Sequence, residues 1–134
     1  MFSEEELRQT FELETADKDL IALTFTNFLP ETDSSRQANL VVESTESVFN
    51  KHPNVRYNLL IDLTPIEILP SFITKESREI YERFSENNQI RKVAIVGANL
   101  FYKIATNFLM KASRRGDIKW FTNKQEALKW FDIS

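Results

Sequence analysis

Two apolar runs without polar alternation constrain this chain more than any other feature. They are residues 56–63 (Arg-Tyr-Asn-Leu-Leu-Ile-Asp-Leu) and 91–97 (Arg-Lys-Val-Ala-Ile-Val-Gly). A strand that is apolar at successive positions buries both faces, as strands do at the centre of a parallel sheet covered by helices. The segment between the runs has helical spacing at Ile73, Ser77, Ile80, Tyr81 and Phe84. Strands joined through a helix run parallel, with a right-handed crossover.

The rest of the chain extends the same alternation. Residues 7–16 alternate Phe11 and Leu13 with polar neighbours, the period of a half-buried strand. Asp17-Lys18-Asp19 is a turn, and Leu20 to Phe28 is a second strand, so the pair predicts a hairpin. Residues 1–6 read as a loose leading segment. Pro30 stops the second strand, and Ser34 with Gln37 has the spacing of a capping box. A helix carrying Ala38, Val41, Val42, Thr45, Val48 and Phe49 follows, and ends before His52-Pro53-Asn54 because a proline ring cannot continue it. The next helix starts near Ser71 or Thr74 and runs to Asn87. After Gly97, which allows a tight exit, a third helix carries Leu100, Ile104, Phe108, Leu109 and Ala112. Lys111, Arg114, Arg115 and Gly116 mark its end. Ile118 to Phe121 is a short last strand, and Asn123 caps a final helix with Glu126 three residues on. The expected class is α/β: a single mixed, mostly parallel sheet in the order ββαβαβαβα, with flanking helices, in one domain spanning 1–134.

Composition narrows the function. The 134 residues include no cysteine, which excludes disulfides, thiolate metal ligands and thiol catalysis. That absence suits a cytoplasmic setting. The acidic start, Met1-Phe2-Ser3-Glu4-Glu5-Glu6, is unlike a signal peptide, and no run has the length and apolarity of a membrane span. Residues 1–67 carry 5 basic against 13 acidic side chains, a net of −8, while residues 68–134 carry 12 against 7, a net of +5. Either the two halves attract each other, or a basic face awaits an acidic partner.

The chemistry-bearing residues are few. His52 stands alone in a turn, so no zinc set and no acid–base pair form around it. Two glycines cannot build a phosphate-cradling loop, and no Gly-x-Ser-x-Gly elbow is present. Asp62 ends a buried strand at its carboxyl edge, where α/β ligand sites lie, and Glu67 follows in the adjoining loop. The pair could serve acid–base or metal work; equally, Asp62 could accept hydrogen bonds from its own loop. Lys103, Lys111, Arg114, Arg115 and Lys119 lie close in sequence to Phe101, Tyr102, Trp120 and Phe121. The charge surplus is too small for nucleic acid, so an anionic headgroup or an acidic protein fits better. Phe72, Phe101, Tyr102 and Phe108 are a candidate lining for a lipid-like ligand. No cofactor is expected.

Four segments resemble the anti-sigma-factor-antagonist (STAS) superfamily, in its SpoIIAA-like or STAS/Sec14-like branch. They are Leu20 to Pro30, Asn58 to Thr64, Lys92 to Gly97 and Trp120 to Trp130. The resemblance implies a non-enzymatic regulatory or protein-interaction module, with a protein partner or a homodimer. A small carrier of an apolar or anionic lipid-like ligand is the alternative, and an enzyme using Asp62 and Glu67 a remote one. Regulatory members are phosphorylated on a serine at the start of the second helix, in an Asp-Ser-Ser-Gly-like stretch. Here that stretch reads Ile68-Leu69-Pro70-Ser71-Phe72, so Ser71 is the candidate switch without the flanking Asp and Gly. A helix cap is the plain alternative for Ser71, and Thr64 is a second candidate. The partner or ligand face implied comprises Asp62, Glu67, Phe72, Asn99, Phe101, Tyr102 and Lys103.

Overall fold

The computed structural model describes residues 2–17, 19–26, 31–65, 74–97 and 117–132. Its elements are α1 (Glu4–Arg8), β1 (Phe11–Ala16), β2 (Leu20–Phe25), α2 (Glu31–Lys51), β3 (Tyr57–Asp62), α3 (Lys75–Ser85), β4 (Ile90–Val96), β5 (Ile118–Phe121) and α4 (Lys124–Asp132). The strands form one five-stranded sheet in the order β1-β2-β3-β4-β5. β1 and β2 are antiparallel, and the other pairs are parallel. The expected mixed, mostly parallel α/β sheet is therefore present. The third expected helix falls in 98–116, outside the described residues.

The covered strands behave as their sequences require. Leu59, Leu60, Val93, Ala94 and Val96 are buried on both sides of the sheet. Ile21, Leu23 and Phe25 of β2 point to one face, with Leu59, Val93, Ile95 and Ile118, beneath α1, α2 and α3. Leu60, Ala94, Val96 and Phe121 point to the other, where Ala127 and Phe131 of α4 pack. A one-residue register slip would exchange these sets, so the two covered faces pin the register. Among the described residues, Phe49 is the largest fully buried side chain. It stacks between Tyr57 (5.6 Å) and Phe84 (6.1 Å), tying α2 to β3 and α3. Such aromatic pairs contribute about 0.5–1.5 kcal/mol each beyond area burial.

Three sequence expectations need correction. Residues 1–6 are not a loose segment where they are described. Ser3 and Glu6 form a reciprocal capping box that starts α1, and Leu7 is 1% exposed against the core. The strand expected over 7–16 consequently begins only at Phe11. Ser34 and Gln37 do not cap α2, which already begins at Glu31. They lie inside it and reach across the fold instead: Ser34 Oγ donates to Ser77 Oγ (3.2 Å), and Gln37 Nε2 donates to Thr10 Oγ1 (2.9 Å). Gly97 does not take a positive φ. It is buried, and the Trp120 indole N–H donates to its carbonyl at 2.9 Å, a close approach that glycine permits; the tight exit expected after it falls outside the described residues. Among the described residues, the one that turns left-handed is Asp19, with φ 54° in the hairpin.

Other expectations match. Thr74 is the N-cap of α3, its Oγ1 accepting the Ser77 N–H at 3.1 Å. Asn123 Oδ1 accepts the Glu126 N–H at 2.9 Å and caps α4. His52 is exposed just past the end of α2.

Candidate functional site

The four parallel strands end along one carboxyl edge, where Thr24, Asp62, Val96 and Phe121 stand in one register row. The edge is firmly held. The Leu63 N–H donates to Val96 O (2.8 Å), and the Gly97 N–H donates to Phe121 O (3.1 Å). With its carbonyl bound to Trp120, Gly97 has both backbone groups engaged.

Asp62 projects here from the end of β3, half-buried. Its Oδ1 accepts the Thr64 N–H at 2.9 Å and the Thr64 hydroxyl at 2.6 Å. This is the local turn an aspartate forms with a residue two positions on, and it stabilises the chain's exit from the sheet. The carboxylate is thus a turn former bound to its own loop. Phosphorylation of Thr64 would place a dianion against the carboxylate its hydroxyl now donates to, opening the turn by like-charge repulsion.

The remaining candidates, Glu67, Ser71, Phe72, Asn99, Phe101, Tyr102 and Lys103, lie outside the described residues, as do Phe108, Lys111, Arg114 and Arg115. Lys119 is described, with Nζ 5.4 Å from the Phe121 ring centroid. Lys92 Nζ donates to Trp130 O at 3.0 Å and lies 4.9 Å from that indole's centroid, fastening α4 to β4. Among the described residues, no three His, Asp or Glu side chains gather as a metal-ligating group. No described helix is long and apolar enough to cross a membrane.

Sheet topology bears on ligand sites too. In open α/β sheets, ligands favour the crevice where strand order reverses. The order from β2 to β5 follows the chain without reversal, so these strands contain no such point.

A cluster that the sequence reading missed lies beneath α1. Asp33 is 1% exposed, a rare burial for a carboxylate. Its Oδ2 accepts the Phe2 N–H (3.2 Å), and its Oδ1 accepts from Arg36 Nη1 (2.7 Å). Arg36 Nη1 also donates to Phe2 O (2.7 Å), so the two side chains grip both backbone groups of one residue. Ser3-x-x-Glu6 before Leu7 was the available signal for α1; nothing in the sequence pointed from Asp33 to Phe2.

This architecture is that of a small α/β module with a mixed sheet covered on both faces. The profile of the SpoIIAA-like family matches residues 20–132, and the chain belongs to that family. Among solved structures it is similar to an uncharacterised protein with a SpoIIAA-like fold from Shewanella loihica PV-4. That likeness has 21% identity over 90% of both chains, with a TM-score of 0.59. No curated protein matches significantly. SpoIIAA-like proteins are often regulatory and commonly mediate protein interactions.

Proposed function

We propose that this chain is a non-enzymatic regulatory or protein-interaction module acting in the cytoplasm, with residues 1–134 as one domain. The observation that carries this reading is membership of the SpoIIAA-like family over residues 20–132. The bonding of Asp62 supports it: this carboxylate at the carboxyl end of β3 serves the Thr64 turn. The partner face we infer runs from Asp62 and Thr64 through Glu67, Ser71 and Phe72, and on to Asn99, Phe101, Tyr102 and Lys103. Ser71 is its candidate switch, because a phosphate beside a helix start meets free N–H groups and the positive end of the dipole.

The test is a cross-linking pull-down with wild-type protein and the Ser71→Asp variant, both shown to be folded. The reading expects a reproducible partner, or self-association, with altered yield in the variant. The same partners at the same yield would remove Ser71 as the switch. Absence of any partner would sink the module reading itself.

A further inference from the structure

The first turns of α2 present a polar face where a helix packed on a sheet normally presents an apolar one. Asp33, Arg36 and Gln37 all bond the segment before β1, and two of them are buried. Their grip is directed at main chain. Asp33 and Arg36 take the N–H and C=O of Phe2, while its half-buried ring packs against the core. Gln37 bonds Thr10, whose own hydroxyl bonds Leu7 O at the end of α1. Leu7 supplies the one fully buried side chain of this segment.

Two observations separate this strap from the body that holds it. α1 has five residues, too few to persist as a helix away from its groove. The seam between α1 and α2 is incompletely closed, leaving a groove of about 220 Å³ lined by Glu4, Leu7, Arg36, Leu40 and Glu43. Beyond the strap the chain is fixed, since Thr10 O accepts the Thr26 N–H in continuation of the β1–β2 ladder. The pivot therefore falls at Arg8–Gln9.

We propose that residues 2–9 form an exchangeable strap, and that the α2 groove accepts the same segment of a second copy of this chain. Exchange re-forms the Phe2 grip, the Leu7 burial and the Leu7–Thr10 bonds in trans, so little beyond the association entropy opposes it. The closed monomer dominates in dilute solution because a tethered strap has a high effective concentration.

The absence of native cysteine makes the test clean. Glu4 and Glu43 line the same seam and are both exposed. A Glu4→Cys/Glu43→Cys chain in a glutathione redox buffer should close within one molecule, and failure to close would overturn the docked strap. Next, Glu4→Cys and Glu43→Cys single variants carrying tags of different mass are mixed at high concentration. The proposal expects a disulfide between copies, well above that from a Glu4→Cys and Gln125→Cys mixture, because Gln125 is exposed on α4. Adding Arg36→Ala to both copies should speed cross-copy closure by roughly tenfold, the equivalent of one charge-assisted hydrogen bond, with circular dichroism unchanged. Cross-copy yield no higher than the Gln125 control overturns exchange.

Discussion

Gln89 offers the sharpest test of how the helical layer is fastened to the sheet. It lies just before β4, and its Nε2 faces three carbonyls at and just beyond the end of α2: Phe49 O (3.2 Å), His52 O (2.9 Å) and Val55 O (2.9 Å). Phe49 O and His52 O also accept the N–H groups of His52 and Val55 in the turns after the helix, so this amide reinforces the α2 terminus from a distant part of the chain. Two N–H protons shared among three acceptors amount to about two hydrogen bonds, each about 0.5–1.5 kcal/mol net. Gln89→Ala should therefore lower stability by about 2 kcal/mol, and the melting temperature by roughly 8 °C for a chain of this size. Gln89→Glu keeps the shape but turns a carboxylate toward three carbonyl oxygens. At neutral pH it should cost about 3–4 kcal/mol, because the repelled charge adds to the lost donors. Urea unfolding and thermal circular dichroism at pH 7 measure both. A loss below about 0.5 kcal/mol for the alanine variant, or a glutamate variant no worse than alanine, would refute the argument that this amide holds α2 in place.

Three further expectations follow from named contacts. Thr74→Ala removes the cap of α3 and one partner of the buried Ser77 hydroxyl, so urea unfolding should register a loss of about 1–2 kcal/mol. Asn58 sits in β3, 7% exposed, with Oδ1 unpaired among the described residues; Asn58→Leu should raise stability by about 1–2 kcal/mol, read from the urea midpoint at constant m-value. The Ser3 backbone N–H and hydroxyl hold the Glu6 carboxyl below its ordinary value of 4.5. Its support of α1 is therefore intact above that pH and fades as pH falls through the lower folded value. Leu7 methyl shifts in NMR should report this acid loosening, and Glu6→Gln, which can still close the capping box, should abolish its pH dependence.

The body of the fold was legible because burial on both faces leaves a plain mark. Leu59 to Leu60 and Val93 to Val96 have no polar alternation, and only a covered parallel strand explains that. Caps with strictly local chemistry were legible too, as at Asn123 and Glu126. At the front of the chain, Phe11 and Leu13 set a period of two that extends back over Leu7 and masks the Ser3–Glu6 signal. Ser34 and Gln37 mimic a capping box, and only the folded chain shows their hydroxyl and amide bonded to Ser77 and Thr10. At the candidate site, Asp62 was readable as a strand-end carboxylate, and its turn with Thr64 is the local outcome its spacing allows. The Asp33–Arg36 grip on Phe2 spans more than thirty residues of chain, beyond any periodicity argument.

The sheet order has a consequence for synthesis. Strands pair in the order in which they leave the ribosome, so none must be threaded between two already made. Each new strand finds its partner at the growing edge, and β3 can dock on the hairpin before β4 exists. The late joins are then the Gln89 amide to the end of α2 and the lysine tether from β4 to α4, each completed only when its later-translated member, Gln89 or Trp130, has emerged. A nascent chain arrested after β3 should already protect the β1–β2 ladder from hydrogen exchange, while the carbonyls at the end of α2 still await the Gln89 amide.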